Sequence, residues 1–417
     1  MTRRPTVALI ACLTAVSLAA CGGSGFEDEP GTGSTEGGGG TDAGPASLRV
    51  LIGSSGPAET DAVTAAAQAF ADESGHEVEV VAATDLAQEL SQGFAAGDPP
   101  DVFYVGSDQL AGYADNGSLL PYAADLENAD DFYPSLVEAF TYQDEFYCAP
   151  KDFSTLGLVI NSASWEAAGL TEDDVPTTWD ELRTVAGRLT TGDQVGLVTS
   201  SEYQRLGAFM EQAGGGLVSD GEATADSPEN VEALTFVKEM LTEGSMAFTG
   251  DVGAGWGGEA FGTGKAAMTI EGNWIAGAMN NDYPDVEYVV APLPEGPGGA
   301  GTLSFTNCWG IAADSESPEA AQELVAFLTQ PEQQMEFARA FGVMPSVESA
   351  EETFREEFPQ FAAFIEQADA ATTPPNAAGA SDVIADLNAQ LESLKSADPA
   401  AILASTQANL EAVLGAQ

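Results

Sequence analysis

Three tryptophans, Trp256, Trp274 and Trp309, stand in glycine-rich or polar surroundings near the ends of predicted strands. An indole face flanked by Asp, Glu and Asn suits a polyol, because axial C–H groups stack on the ring while hydroxyls bond to the polar neighbours. Trp165 and Trp179 stand beside helical patterns and read as packing residues. Other chemistry is sparse. The 66 acidic residues are so abundant that no spacing isolates the two carboxylates a glycosidase sets across one bond. His76 is the sole histidine, and its place between Gly75 and Glu77 reads as a solvated turn. One imidazole excludes every zinc site built on two and leaves the serines without a partner base. Gly253 to Gly258 matches G-x-G-x-x-G, but no strand precedes it to aim the turn at a pyrophosphate. Those glycines instead let a loop approach a ligand or another backbone, with Trp256 as the contact. Gly262-Thr263-Gly264-Lys265 fails as a phosphate loop, since Glu259 replaces the first Gly and Ala266 the Ser/Thr. No catalytic set, metal site or cofactor is therefore expected.

The elements that must position these residues belong to an exported protein. Across 417 residues the formal charge is -54, which excludes binding to nucleic acid by counterion release and disfavours binding to an anionic membrane surface. Arg3 and Arg4 precede an apolar run from Val7 to Ala20 that is too short to span a bilayer comfortably. It ends at Leu18-Ala19-Ala20-Cys21, which resembles a bacterial lipobox and implies a signal over 1–20 with Cys21 lipidated. Residues 21–45 hold almost no apolar side chains and read as a flexible tether. The membrane is then reached only through the lipid, on the extracytoplasmic face.

Beyond the tether, Leu48 to Gly53, Val78 to Val81 and Asp101 to Val105 read as strands separated by helices. That alternation predicts a mainly parallel sheet covered on both faces, with ligand beyond the carboxyl ends of the strands. The rule singles out Ser54, Ser55, Thr84, Asp85, Ser107 and Asp108. A second alternating section follows from Leu156, with Thr178 and Glu181 as a capping box and Ser227-Pro228 as a helix start. Leu303 to Ala313 reads as one long extended segment. Lys151 beside Asp152 precedes the second section; in a chain with 12 basic residues it either sets local geometry or donates to ligand oxygen.

Several segments together resemble the extracytoplasmic solute-binding proteins of ABC importers, in the carbohydrate group that includes maltose-binding protein. They are the lipobox, Pro100 to Phe103, Tyr147 to Leu158, Val175 to Leu182, Gly264 to Trp274, Gly310 to Leu328 and Phe341 to Ser346. The resemblance implies an α/β, two-lobed periplasmic-binding-protein-like fold with multiple chain crossings at the hinge. Residues 46–150 with 310–345 would form lobe 1, and 155–302 with 348–417 lobe 2. The crossings would fall at 150–155, 303–309 and 344–348. Carried across, Ser55, Asp85 and Ser107 would meet ligand from the first lobe and Glu202, Tyr203 and Trp274 from the second, while Asp152, Trp256 and Trp309 stand as ligand candidates on their own surroundings. No Trp follows Ser54, where several members carry one, so stacking would come chiefly from the second lobe. Cys148 and Cys308 would lie on adjacent crossing strands and form a disulfide.

The implied function is capture of a sugar or short oligosaccharide, without catalysis, by a monomer that delivers it to the membrane subunits of an ABC importer. Two rivals stay open: a binding protein for a non-sugar solute such as a polyamine, and a secreted carbohydrate-active hydrolase.

Overall fold

The computed structural model describes residues 44–54, 56–219, 221–377 and 379–415. The signal at 1–20, Cys21, the tether up to residue 43 and Ser55 lie outside the described residues. Runs rich in Val, Ile and Leu form the main sheet. Its strands are β1 Ser47–Ile52, β2 Glu77–Ala82, β3 Val102–Gly106, β4 Ala149–Asn161, β5 Val195–Thr199, β6 Met246–Phe248, β7 Ala266–Gly272, β8 Tyr288–Ala291, β9 Thr302–Ile311 and β10 Ala371–Thr372. They lie in the order β6-β5-β7-β4-β9-β3-β1-β2, with β8 paired to β4 and β10 to β9. The two ends are parallel, as the alternation of strands and helices predicts. The centre departs from that expectation, because β4 and β9 run antiparallel to each other and to β7 and β3.

The helix starts follow the sequence. Pro57 opens the helix Pro57–Ser74, which ends where Gly75 takes a left-handed φ of 80°. Thr178 accepts the Glu181 amide and Ser227 the Asn230 amide, each the third residue of its helix, while Glu181 accepts from the Thr177 amide and does not close the expected capping box on Thr178. His76 is not the solvated residue expected. Its ring stacks on Phe70, its Nδ1 accepts from the Ala46 amide, and its side chain is 14% exposed.

Strand β4 changes partners along its length. Ala149 to Thr155 pair with β9, and Leu156 to Ile160 with β7. Met344 exchanges both backbone hydrogen bonds with Phe153, so a third chain passage lies beside the other two. Two large cores flank this line. One draws on residues 48–153 and 308–368, the other on 156–303 and 383–410. A smaller cluster around Val159, Val198, Phe261 and Ile275 covers the opposite face of the second half. The segment after 348 does not pack wholly with the second core. Phe354, Phe361, Phe364 and Ile365 join the first, while Phe364 also rests on β4 at Gly157. These aromatic side chains fill the angle between the halves before the chain returns to the second core at Val383. Cys148 and Cys308 meet on the β4–β9 side of this junction, both fully buried, with Cα atoms 5.6 Å apart and within disulfide reach.

Two tests follow from this packing. A Cβ on Gly157 would sit 2.9 Å from both Phe364 and Val290. Gly157→Ala is expected to lower unfolding free energy by about 1–3 kcal/mol through overpacking, read from denaturant midpoints. The second test concerns Glu211, near the end of the helix Tyr203–Gln212, whose carboxyl bonds to Thr372. Burial raises its pKa from the ordinary 4.5 to about 7. The folded state therefore holds a proton that the unfolded state has released between those values, so stability falls as pH rises from about 4.5 to 7 and is level above. Glu211→Gln should match the native protein near pH 4 and exceed it at pH 8, as melting temperatures across that range will show.

Candidate functional site

A cavity of about 630 Å³ opens where the two halves meet, lined from both. Its floor is the middle of β9, Ser304 to Asn307, together with Ser154 of β4. One wall carries Glu59, Tyr104, Ser107, Lys151, Asp152 and Phe341, held by the first core. The other carries Gln204, Asn273, Trp274, Ile384 and Asn388, held by the second.

Trp274 is fixed on several sides although it is 37% exposed. Its indole N–H donates to Glu271 Oε2 at 2.9 Å. The Arg205 guanidinium lies 5.1 Å from the ring centroid, and Phe305 packs edge-on at 5.3 Å. Gly272 supplies the seat, since a Cβ there would lie 2.2 Å from the ring. Such restraint leaves a preorganised aromatic face that loses little entropy when a ligand stacks on it. Glu271 is fully buried at the end of β7. Burial raises its pKa, and the Arg205 charge 2.8 Å away opposes that shift. A buried carboxylate paired to a guanidinium and an indole N–H is a frame for the ring.

The facing wall is also charged and also paired. Lys151 Nζ lies 2.7 Å from Glu59 Oε1 and 2.5 Å from Asp152 Oδ2, with all three side chains under 10% exposed. The Tyr104 hydroxyl donates to the same Glu59 oxygen. Burial alone would discharge the Lys151 amine, but Asp152 and Glu59 hold it protonated. Burial pushes Asp152 up against the pull of Lys151. Lys151 is the one basic residue among the described lining residues, and both its carboxylate partners are local. Polar atoms without hydrogen-bond partners remain at Ser304 Oγ and Asn273 Oδ1, both on buried residues that line the cavity. Buried polar atoms left open in this way are groups a ligand can satisfy.

Of the sequence candidates, the fold brings Ser107, Asp108, Lys151, Asp152 and Trp274 into this one cavity. Ser55 lies outside the described residues. Seven others do not line it, Ser54 and Thr84 among them. Asp85 caps the helix Leu86–Ala96 by accepting the Gln88 amide. Tyr203 is 1% exposed in the second core, its ring against Gly207. Trp256 folds over Gly258, where a Cβ would lie 2.1 Å from its ring, so the glycine-rich run serves its own tryptophan. Trp309 is fully buried and edge-on to Tyr104 at 5.0 Å. Glu202 is exposed at the start of the Tyr203–Gln212 helix and is not in the lining, though its charge raises Glu271. Sequence reasoning missed Glu59, Gln204, Asn273, Phe305, Phe341 and Asn388. Asn273 stood beside Trp274 in the quoted motif and was the one of these with a local signal. Asn388 arrives from 185 residues beyond Tyr203, whose amide it accepts, and nothing local announces that contact.

Two α/β lobes sharing a sheet, with a polar and aromatic cleft between them, define the class of two-lobed binding proteins. The sequence profile of the bacterial extracellular solute-binding proteins matches residues 65–371, and the chain belongs to that family. Among its relatives is the diacetylchitobiose binding protein DasA of Streptomyces coelicolor, 25% identical over 82% of this chain and 81% of that protein. The maltotriose-binding protein of Pyrococcus abyssi is 26% identical over 63% of this chain and 58% of its own length. Among solved structures, the cyclic alpha-maltosyl-1,6-maltose binding protein of Arthrobacter globiformis superposes with a TM-score of 0.79. At 22% identity it covers 90% of this chain and 100% of that chain. Family and relatives are binding proteins. Among the described residues no helix is long and apolar enough to cross a membrane.

The seat of Trp274 is directly testable. Gly272→Ala should displace the ring, shift its emission to the red and lower stability by about 1–3 kcal/mol. In a Trp274→Phe background the same change should leave the emission spectrum unmoved.

Proposed function

We propose that this protein captures a neutral sugar or short oligosaccharide in the cleft, unaltered, and presents it to the membrane subunits of an ABC importer. One observation carries the reading: the braced Trp274 face shares a cavity with Ser107, Asp152, Ser304 and Asn273, while the one cation among the described lining residues is already paired. An aromatic plane with hydroxyl-binding groups around it matches a pyranose. A phosphate ester would want an available cation, whereas Lys151 is already held by Glu59 and Asp152. A polyamine would have to compete with Lys151 for Glu59 and Asp152. Hydrolysis would need a free acid and a free base across one bond, whereas Glu59 and Asp152 are tied to Lys151, leaving Asp108 alone among the described lining carboxyls. The names of the relatives, which specify diacetylchitobiose and maltotriose, agree with a saccharide.

In this reading β4, β9 and the passage at Met344 are the hinge, and closure about them is what the importer recognises. The lobes divide along the two large cores, with residues 348–368 wedged at their junction. A Cys148–Cys308 disulfide braces β4 against β9 in the first lobe and leaves the second free to rotate. Cys21 is the lipid-bearing residue, 21–45 the tether, and the molecule works as a monomer on the extracytoplasmic face.

Calorimetry against neutral di- and trisaccharides, spermidine and glycerol 3-phosphate tests the reading. One neutral saccharide should bind at a 1:1 ratio and be recovered intact. Trp274→Ala should weaken it roughly 10- to 30-fold, as loss of one stacked ring costs about 1.5–2 kcal/mol. Binding of spermidine or the phosphate ester with no saccharide bound would overturn it, and so would steady release of cleaved product.

A further inference from the structure

We infer that Asn273 is a clasp across the cleft, joining the lobes through one end of its amide and reading the ligand through the other. This rests on the cleft being the ligand site. Asn273 follows β7 in the second half, and its Nδ2 donates to the Gly342 carbonyl at 2.6 Å. Gly342 ends the helix Pro331–Phe341 in the first half, where its left-handed φ of 77° turns the chain toward the hinge passage at Met344. The contact continues three residues on, where Ala276 is buried among the side chains of the first core, although its helix, Ile275–Asp282, begins with Ile275 in the smaller cluster of the second half.

The other end of the same amide is buried and unpartnered. Asn273 is 3% exposed and lines the cavity, and its Oδ1 has no hydrogen-bond partner. An amide oxygen is an acceptor only, so it calls for a donor, which a ligand hydroxyl provides and a ligand carboxylate or phosphate does not. Donation to Oδ1 polarises the amide and strengthens its Nδ2 bond to Gly342. Trp274, the next residue, is seated on Gly272, so the clasp and the stacking face move as one short rigid unit. A ligand that stacks on Trp274 and donates to Asn273 is therefore bound better when the Gly342 contact is made, and that differential affinity is what shifts the lobes toward the closed form.

The test compares Asn273→Asp and Asn273→Ala with the native protein. Aspartate keeps the shape and an acceptor toward the cavity but sets a carboxylate oxygen against the Gly342 carbonyl. Small-angle scattering of the ligand-free proteins should show a larger radius of gyration for both variants, with unchanged melting cooperativity showing that they fold. The closed fraction should fall about fivefold, the worth of one hydrogen bond. Affinity for the saccharide identified by calorimetry should drop at least as much, and more for Ala than for Asp. Ligand-free variants no more open than the native protein would refute the clasp. Open variants that bind the saccharide as tightly as the native protein would refute the coupling. If the native protein binds no saccharide, the proposed function fails, while the ligand-free comparison still decides the clasp.

Discussion

The structure depends on one backbone arrangement: β4 bonds to β9 for its first half and to β7 and β8 for its second. Two lobes must be connected yet free to turn, and their backbone polar groups cannot be left unpaired at the joint. A strand that changes neighbours meets both conditions. The register of β9 against β4 shifts between Asn307 and Cys308, where β9 takes β3 as its other neighbour. Everything that lines the cleft is fastened to one side of this joint or the other.

Around the joint, charges are buried in matched sets. Lys151 is held by Glu59 and Asp152 on one wall, and Arg205 by Glu271 on the other. Burying such ions is costly unless every partner is present, and their worth lies less in stability than in fixing geometry. Lys151 holds the wall around Tyr104 and Phe341, over whose rings it lies. Arg205 and Glu271 hold Trp274. In a chain with so few basic residues, spending two of them here leaves the acidic surface unbalanced and the cleft ordered.

Much of the fold was legible in the sequence because strands and helices of this class announce themselves through short-range patterns. The alternation after Leu48, the Thr178 side-chain cap and the Ser227-Pro228 start all formed as read. The cleft was less legible. Ser107 and Trp274 follow directly on strands, and strand ends point to the cleft, so a local rule reached them. Trp256 and Trp309 do not line the cleft, because the Trp256 ring folds back onto Gly258 of its own loop and Trp309, inside β9, packs on Tyr104. Gln204 and Asn388 carried no signal, since their importance comes from each other's position: the Asn388 amide donates to the Gln204 side chain across 184 residues.

By itself the sequence determined an acidic α/β chain, its family, and the strand after which the cavity's tryptophan appears, since periodicity, caps and motif order are set by neighbours along the chain. Only the tertiary structure decided which rings meet the cavity, which carboxylates are already committed to Lys151 and Arg205, and that the tail returns to complete the wall. Those outcomes rest on contacts between residues far apart in sequence. Their energies depend on burial and distance, which no local pattern encodes.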